Sequence, residues 1–143
     1  MTNNVDRVLI AGGRMALGTV SVHVDSELRI VHLTITGALS RLGGLEYQRR
    51  MAVAIDHLAA RRPWGVLSDR RNALVQSEEV QLIMADIFER ATAAGRTHAA
   101  VLATSALTQM QMRRLALAGK LVQRHFESEI AAKAWLVREL KSG

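Results

Sequence analysis

From Thr19 the chain alternates apolar and polar residues. Val20, Val22 and Val24 are separated by Ser21, His23 and Asp25, the period-two pattern of a half-buried strand. Leu28 to Thr36 repeats it, with Val31, Leu33 and Ile35 on one face. A hairpin turning at Ser26-Glu27 pairs Val22 with Val31 and Val20 with Leu33, so that both apolar sets share a face. The same register sets His23 and His32 as diagonal neighbours on the other face. Gly37 to Gly44 has turn composition, and a helix is predicted from there to about Arg62. At about 100° per residue, Leu45, Met51, Ala52, Ile55, Leu58 and Ala59 fall in one arc, opposite Arg50, His57 and Arg61.

Pro63 closes that segment. Gly65-Val66-Leu67-Ser68 is short and largely apolar, as expected of a strand buried on both faces, and it breaks into Asp69, Arg70, Arg71 and Asn72. A second helix runs from about Glu78 to Ala94, with Ser77 as N-cap and Gly95 as stop. Val80, Ile83, Met84, Ile87, Phe88 and Ala91 form its apolar face, and Glu78, Glu79, Asp86 and Glu89 make the other side acidic. His98 to Thr104 is another buried strand, and Ser105 caps a third helix from about Ala106 to Arg124. Its wide apolar arc contains Leu107, Met110, Leu115, Leu117, Ala118, Leu121 and Val122, beside a basic stripe of Arg113, Lys120 and Arg124. Arg114 projects from the middle of that arc, which predicts a buried or interface charge. A short extended piece around Phe126 leads to a last helix, about Glu129 to Leu140, with Ile130, Ala134, Val137 and Leu140 inward and Trp135 off that arc.

A hairpin followed by alternating helices and strands predicts an α/β fold, a mixed sheet whose N-terminal antiparallel hairpin continues into parallel strands joined by helices. Residues 19–143 read as a single domain, and residues 1–18 as an N-terminal extension or extra strand. Within that extension VLIAGG has strand composition, AGGRMALG lacks the GxGxxG spacing of a nucleotide loop, and Met15 is an alternative start. The 143 residues are 49% hydrophobic and 22% charged, enough for one globular core. With no Cys, disulfides, thiolate metal sites and cysteine nucleophiles are excluded. Runs such as Ala99 to Ala103 are too short to span a bilayer, and Val8 to Ala11 is too brief for a signal-peptide core, so a cytoplasmic protein is expected.

Parallel strands present their carboxyl ends on one edge, where open α/β sheets bind ligands. That edge is expected to gather Asp69, Arg70, Arg71, Asn72, Ser77 and Ser105, with two helix N-termini offering free N–H groups to an anionic ligand or an acidic partner segment. No second carboxylate or histidine completes a dyad or triad, so binding without catalysis is expected, with no cofactor. His23 and His32 have no carboxylate at matching spacing, and no metal site is assigned. The net charge of +6 raises nucleic-acid binding. Against it stand an aromatic content of 3% and the segregation of basic stripes from an acidic one, which suits self-association or a protein partner better.

The order of elements from residue 19 to 141, the strand ending in Asp69 and the tail FESEIAAKAWL from Phe126 to Leu136 resemble the STAS and SpoIIAA-like family, which includes anti-sigma-factor antagonists and has lipid-binding relatives. The resemblance implies a small non-enzymatic domain that recognises a protein partner or a small ligand. A carrier of a small apolar or lipid-like ligand is the alternative, and a large apolar cavity between helix and sheet would favour it. In anti-sigma-factor antagonists an aspartate is followed at once by the phosphorylated serine. Here Arg70 follows Asp69, and Ser77 is the nearest downstream serine. A phosphate on Ser77 would gain from the helix N-terminus but sit beside Glu78 and Glu79, whereas a plain N-cap role needs nothing more.

Overall fold

The computed structural model describes residues 18–142, so the expectations for VLIAGG and Met15 lie outside the described residues. Five strands form one sheet in sequential order: β1 (Thr19–Asp25), β2 (Ile30–Thr36), β3 (Trp64–Asp69), β4 (Arg96–Leu102) and β5 (Val122–Phe126). β1 is antiparallel to β2 and the remaining pairs are parallel, as the alternation of elements predicts. Four helices accompany them: α1 (Arg41–Leu58), α2 (Glu78–Ala93), α3 (Ala106–Ala118) and α4 (Glu129–Ser142). Crossovers of one hand between strands in sequential order deliver α1, α2 and α3 to the same face. Their core includes Leu33, Ile35, Tyr47, Met51, Val66, Met84 and Ile87, while Ile30, Leu67, Ala100 and Leu102 pack on α4 on the other face.

The hairpin register differs from the expected one by two residues: Val22 pairs with Leu33, Val20 with Ile35, and His23 lies directly opposite His32. The connection is longer because Asp25 Oδ1 accepts a hydrogen bond from Leu28 N at 3.0 Å and Arg29 adopts a positive φ of 60°. A shift of two keeps every side chain on its face, so the apolar pattern alone does not fix it.

Gly43 and Gly44 are not in a turn. They lie in the first turns of α1, which Ser40 caps by accepting from Gly43 N at 3.0 Å. A Cβ on Gly44 would meet Ile83 Cδ1 at 3.0 Å, so the missing side chain lets α1 approach α2 closely. The buried face is Tyr47, Met51, Ala54, Ile55 and Leu58, and Leu45 is exposed.

α3 ends at Ala118 rather than Arg124, because Gly119 closes it and Lys120 turns the chain at φ 54° into β5. Its buried residues are Thr108, Gln111, Met112 and Ala116. The arc of Leu107, Met110 and Leu117 faces outward, Leu117 being 82% exposed. Arg114, expected as a buried or interface charge, is therefore exposed, and among the described residues it makes no ion pair. α4 is also rotated from expectation. Ile130 is 84% exposed, while Trp135 is buried against His98 and Phe126 at centroid distances of 5.6 and 5.5 Å. β5 is an edge strand, so α3, which leads into it, has the sheet and α2 on one side only, and its outer arc stays in solvent.

Candidate functional site

The carboxyl ends of the parallel strands form one edge, with Thr34, Asp69, Leu102 and Phe126 in register across β2 to β5. The segment after β3 is fastened to its neighbours on both sides. Gly37, at φ 63°, donates to Asn72 O at 2.8 Å and accepts from Leu74 N at 3.1 Å, extending the β2–β3 pairing to an isolated bridge with Ala73. Toward β4, Arg70 N donates to Leu102 O at 2.7 Å and Thr104 Oγ1 to Arg71 O at 3.4 Å.

Asp69 organises this loop. Its Oδ1 accepts from Arg71 N at 3.1 Å and Nε at 3.0 Å, and its Oδ2 from Arg71 Nη2 at 2.8 Å. The Arg71 side-chain hydrogen bonds hold the Asp69 carboxyl below its ordinary value, against the opposing effect of burial. A carboxylate held ionised by a bidentate guanidinium is a poor proton acceptor at neutral pH. Arg71 also reaches Glu129 at 3.5 Å, which links the loop to α4.

Arg70 departs from expectation. Its side chain does not stand on the rim but is 2% exposed, turned into the core, where Nε donates to Ser68 Oγ at 2.8 Å and Nη2 to Tyr47 Oη at 3.2 Å. At the end of a strand, consecutive residues take opposite sides, so Arg71 out places Arg70 in. The other expected rim residues, Asn72, Ser77 and Ser105, are exposed. Ser77 Oγ accepts from Val80 N at 3.2 Å and Ser105 Oγ from Thr108 N at 3.4 Å, so both act as N-caps.

Two buried glutamines hold the helix starts together. Gln76 Oε1 accepts from Leu39 N at 2.7 Å, and its Nε2 donates to Gly37 O at 3.0 Å and Leu74 O at 2.8 Å. Gln76 N donates to Gln111 Oε1 at 3.2 Å, and Gln111 Nε2 returns to Gln76 O at 3.3 Å. The loop of residues 71–76 is thereby laid along the first half of α3. Leu74 and Val75 on the loop and Leu107 on α3 remain exposed. Next to them a depression of about 480 Å³ is lined by Arg71, Thr104, Gln109, His125, Phe126 and Glu127. Burial, then the nearby Arg113, lower the His125 pKa and favour its neutral ring. The sequence reading missed Thr104, Gln109, His125 and Glu127 because it carried the third helix through residues 119–124 and left only a short extended piece around Phe126, whereas β5 spans Val122–Phe126 and completes this edge. On the far face of the hairpin the His23 and His32 rings lie 6.3 Å apart, and among the described residues no group of three metal-ligating side chains forms.

No protein-family model and no curated protein matches the sequence. Solved structures do. An uncharacterised DUF3478-family protein with a SpoIIAA-like fold from Shewanella loihica superposes with a TM-score of 0.65 at 13% identity, covering 83% of this chain and 93% of that one. An anti-sigma factor antagonist from Mycobacterium paratuberculosis gives a TM-score of 0.55 at 13% identity, with the same coverages of 83% and 93%. With its antiparallel first pair, parallel remainder and four helices, this chain has a SpoIIAA-like fold.

Proposed function

We propose that this chain is a non-enzymatic, STAS-like regulatory domain that recognises a protein partner at the carboxyl edge of its sheet. The observation that carries this reading is the joining of the 71–76 loop to α3. It sets exposed Leu74, Val75 and Leu107 beside Arg71, Asn72 and the capped starts of α2 and α3. A small apolar patch ringed by polar groups on a fixed frame is the composition of a protein-recognition surface. The similar fold of an anti-sigma factor antagonist is in keeping with a regulatory binding role. A non-enzymatic reading is supported by the commitment of Asp69 to Arg71 and by His125, whose Nε2 is bonded to Gln123 at 3.2 Å rather than to Glu127, the carboxylate that shares the depression with it.

A small anionic ligand is the second reading, favoured by Arg71 and the start of α3. It meets opposition from Glu127, which lines the depression, and Glu129, which shares Arg71. The apolar-carrier alternative needs a large cavity between helix and sheet, and the cavity under α1 and α2 is about 10 Å³. Duplex binding needs a continuous positive face, but Arg41, Arg49, Arg50 and Arg90 are paired with Glu79, Glu46 and Asp86.

The test is site-specific photo-crosslinking in cells that make the protein, with a benzophenone amino acid at Leu74 or Leu107 and, as control, at exposed Lys133 on α4. One defined protein adduct from both rim positions, absent from Lys133 and reduced by Arg71→Ala, is expected. Equal adducts from all three positions would overturn the assignment. Inorganic phosphate that shifts only the Arg71, Thr104 and Ser105 amide resonances would favour the anion reading.

A further inference from the structure

β5 ends the sheet on one side and pairs only with β4. Alternate N–H and C=O groups of an edge strand point away from its neighbour. Among the described residues, no backbone group of 122–126 forms a hydrogen bond beyond β4. The opposite edge differs, because Arg50 Nη1 on α1 already donates to Val20 O of β1 at 3.3 Å.

The side chains of β5 alternate in chemistry. Arg124 and Phe126 lie in register with Ala100 and Leu102 on the α4 face, and Val122, 52% exposed, shares that face. Gln123 and His125 lie on the α3 face, in a depression of about 280 Å³ that Arg113, Ala116 and Leu121 also line. Arg113, Lys120 and Arg124 are exposed, and the Arg124 guanidinium carbon stands 5.2 Å from the centre of the Phe126 ring. Among the described residues none of these three cations makes an ion pair, whereas every arginine of α1 and α2 does. Of the nearby carboxylates, Glu139 lies 3.5 Å from His98, and Glu127 follows the end of the strand.

A second copy is a poor match for this edge. Two β5 strands paired antiparallel about a two-fold axis set the central Arg124 of each opposite the other, and like charges so placed oppose pairing. A carboxylate in the same position is attracted.

We propose that the free edge of β5 takes up an acidic, extended segment of a partner protein as an added strand, in the pattern apolar–x–Asp/Glu–x–apolar. The carboxylate falls beside Arg124 and the apolar residues beside Val122 and Phe126. The pattern reads alike in both directions, so either strand polarity satisfies it. Main-chain hydrogen bonds give a complex of this kind its affinity, and alternate side chains give it selectivity. The edge is separate from the 71–76 rim, and the proposal does not depend on the partner proposed there.

The probe is the capped peptide DVTDTVE, with KVTKTVK as its control, titrated at low salt into the isotope-labelled full chain. Saturable amide shifts centred on β5 are expected from the acidic peptide and not from the basic one. Arg124→Gln should weaken binding about two- to fivefold, the worth of one cross-strand charge pair. Arg124→Glu should reverse the preference in favour of the basic peptide. If the variants do not fold, hydrogen exchange of the unmodified chain decides, because only the acidic peptide should slow the β5 amides. Equal responses to both peptides, shifts centred on the 71–76 loop, or binding indifferent to a folded Arg124→Gln variant would overturn the proposal. So would movement of the β5 amides, rather than those of α3, on concentrating the protein alone, which would give the edge to a second copy.

Discussion

Truncating Arg70 deprives Ser68 and Tyr47 of their shared donor and opens space in the core, whereas truncating Arg71 trims an exposed side chain. Arg70→Ala is expected to lower the unfolding free energy by about 2–4 kcal/mol, the sum of lost buried hydrogen bonds and a partly filled cavity. Arg71→Ala should leave the urea midpoint nearly unchanged. Equal midpoints for the two variants would show that Arg70 is not buried. This also means that the pair cannot be replaced together as a clean test of binding, because half of the double variant acts on stability. Neighbouring arginines are indistinguishable by type and charge, so the loop itself was legible in the sequence but the division of labour within it was not. Only the side on which β3 ends separates them.

At the scale of elements, α1 shows what charge spacing contributes. Glu46 accepts from Arg49 Nε at 3.0 Å and from Arg50 Nε at 2.6 Å, and Arg50 reaches Val20 O at 3.3 Å, tying the helix to β1. The side-chain hydrogen bonds from Arg49 and Arg50, in that order, lower the Glu46 pKa from 4.5 to about 2. A carboxylate depressed in the folded state stabilises fully above its unfolded pKa and loses that contribution as pH falls through the folded value. Glu46→Gln should therefore flatten the fall in stability between about pH 5 and 2, with an effect of about 1 kcal/mol or less because the pair is solvent-screened. Denaturation curves across that range check it, and an unchanged acid slope would mean that the trio is not formed. The two buried glutamines give a second expectation. Gln76→Ala should cost about 1–3 kcal/mol by freeing Leu39 N, Gly37 O and Leu74 O. With Gln111→Ala it should show less than additive loss in a double-mutant cycle. Strictly additive losses would argue against the Gln76–Gln111 link.

The helices α1 and α2 were legible in outline because their apolar faces run for several turns, and Ser77 and Gly95 mark the ends of α2. The faces of α3 and α4 were not. In α3 the largest apolar residues, Leu107, Met110 and Leu117, point outward, and the buried ones include Thr108 and Gln111. Residue counting favours the larger set; contact with a narrow edge of the sheet selects the other.

For the whole molecule, that inversion bears on self-association. Beyond the rim residue Leu107, α3 leaves Met110 and Leu117 in solvent with Arg114 beside them. Arg41 and Arg90 are matched within the chain by Glu79 and Asp86, so those charges are already occupied. Glu78 and Glu89 on α2 make no ion pair among the described residues. A second copy could bury the α3 stripe and bring these carboxylates toward Arg114, and two-fold pairs of this kind use one patch twice. A dimer at tens of micromolar is the expected state, measured by sedimentation equilibrium at low and moderate salt. Leu117→Lys should shift it toward monomer with little change in the monomer's stability, since the side chain is 82% exposed. Arg114→Ala should weaken the dimer more than Arg113→Ala does, and both should leave the melting temperature of the dilute protein alike. A monomer at all concentrations would remove the interface role for Arg114, and a dimer indifferent to Leu117→Lys would move the interface away from α3.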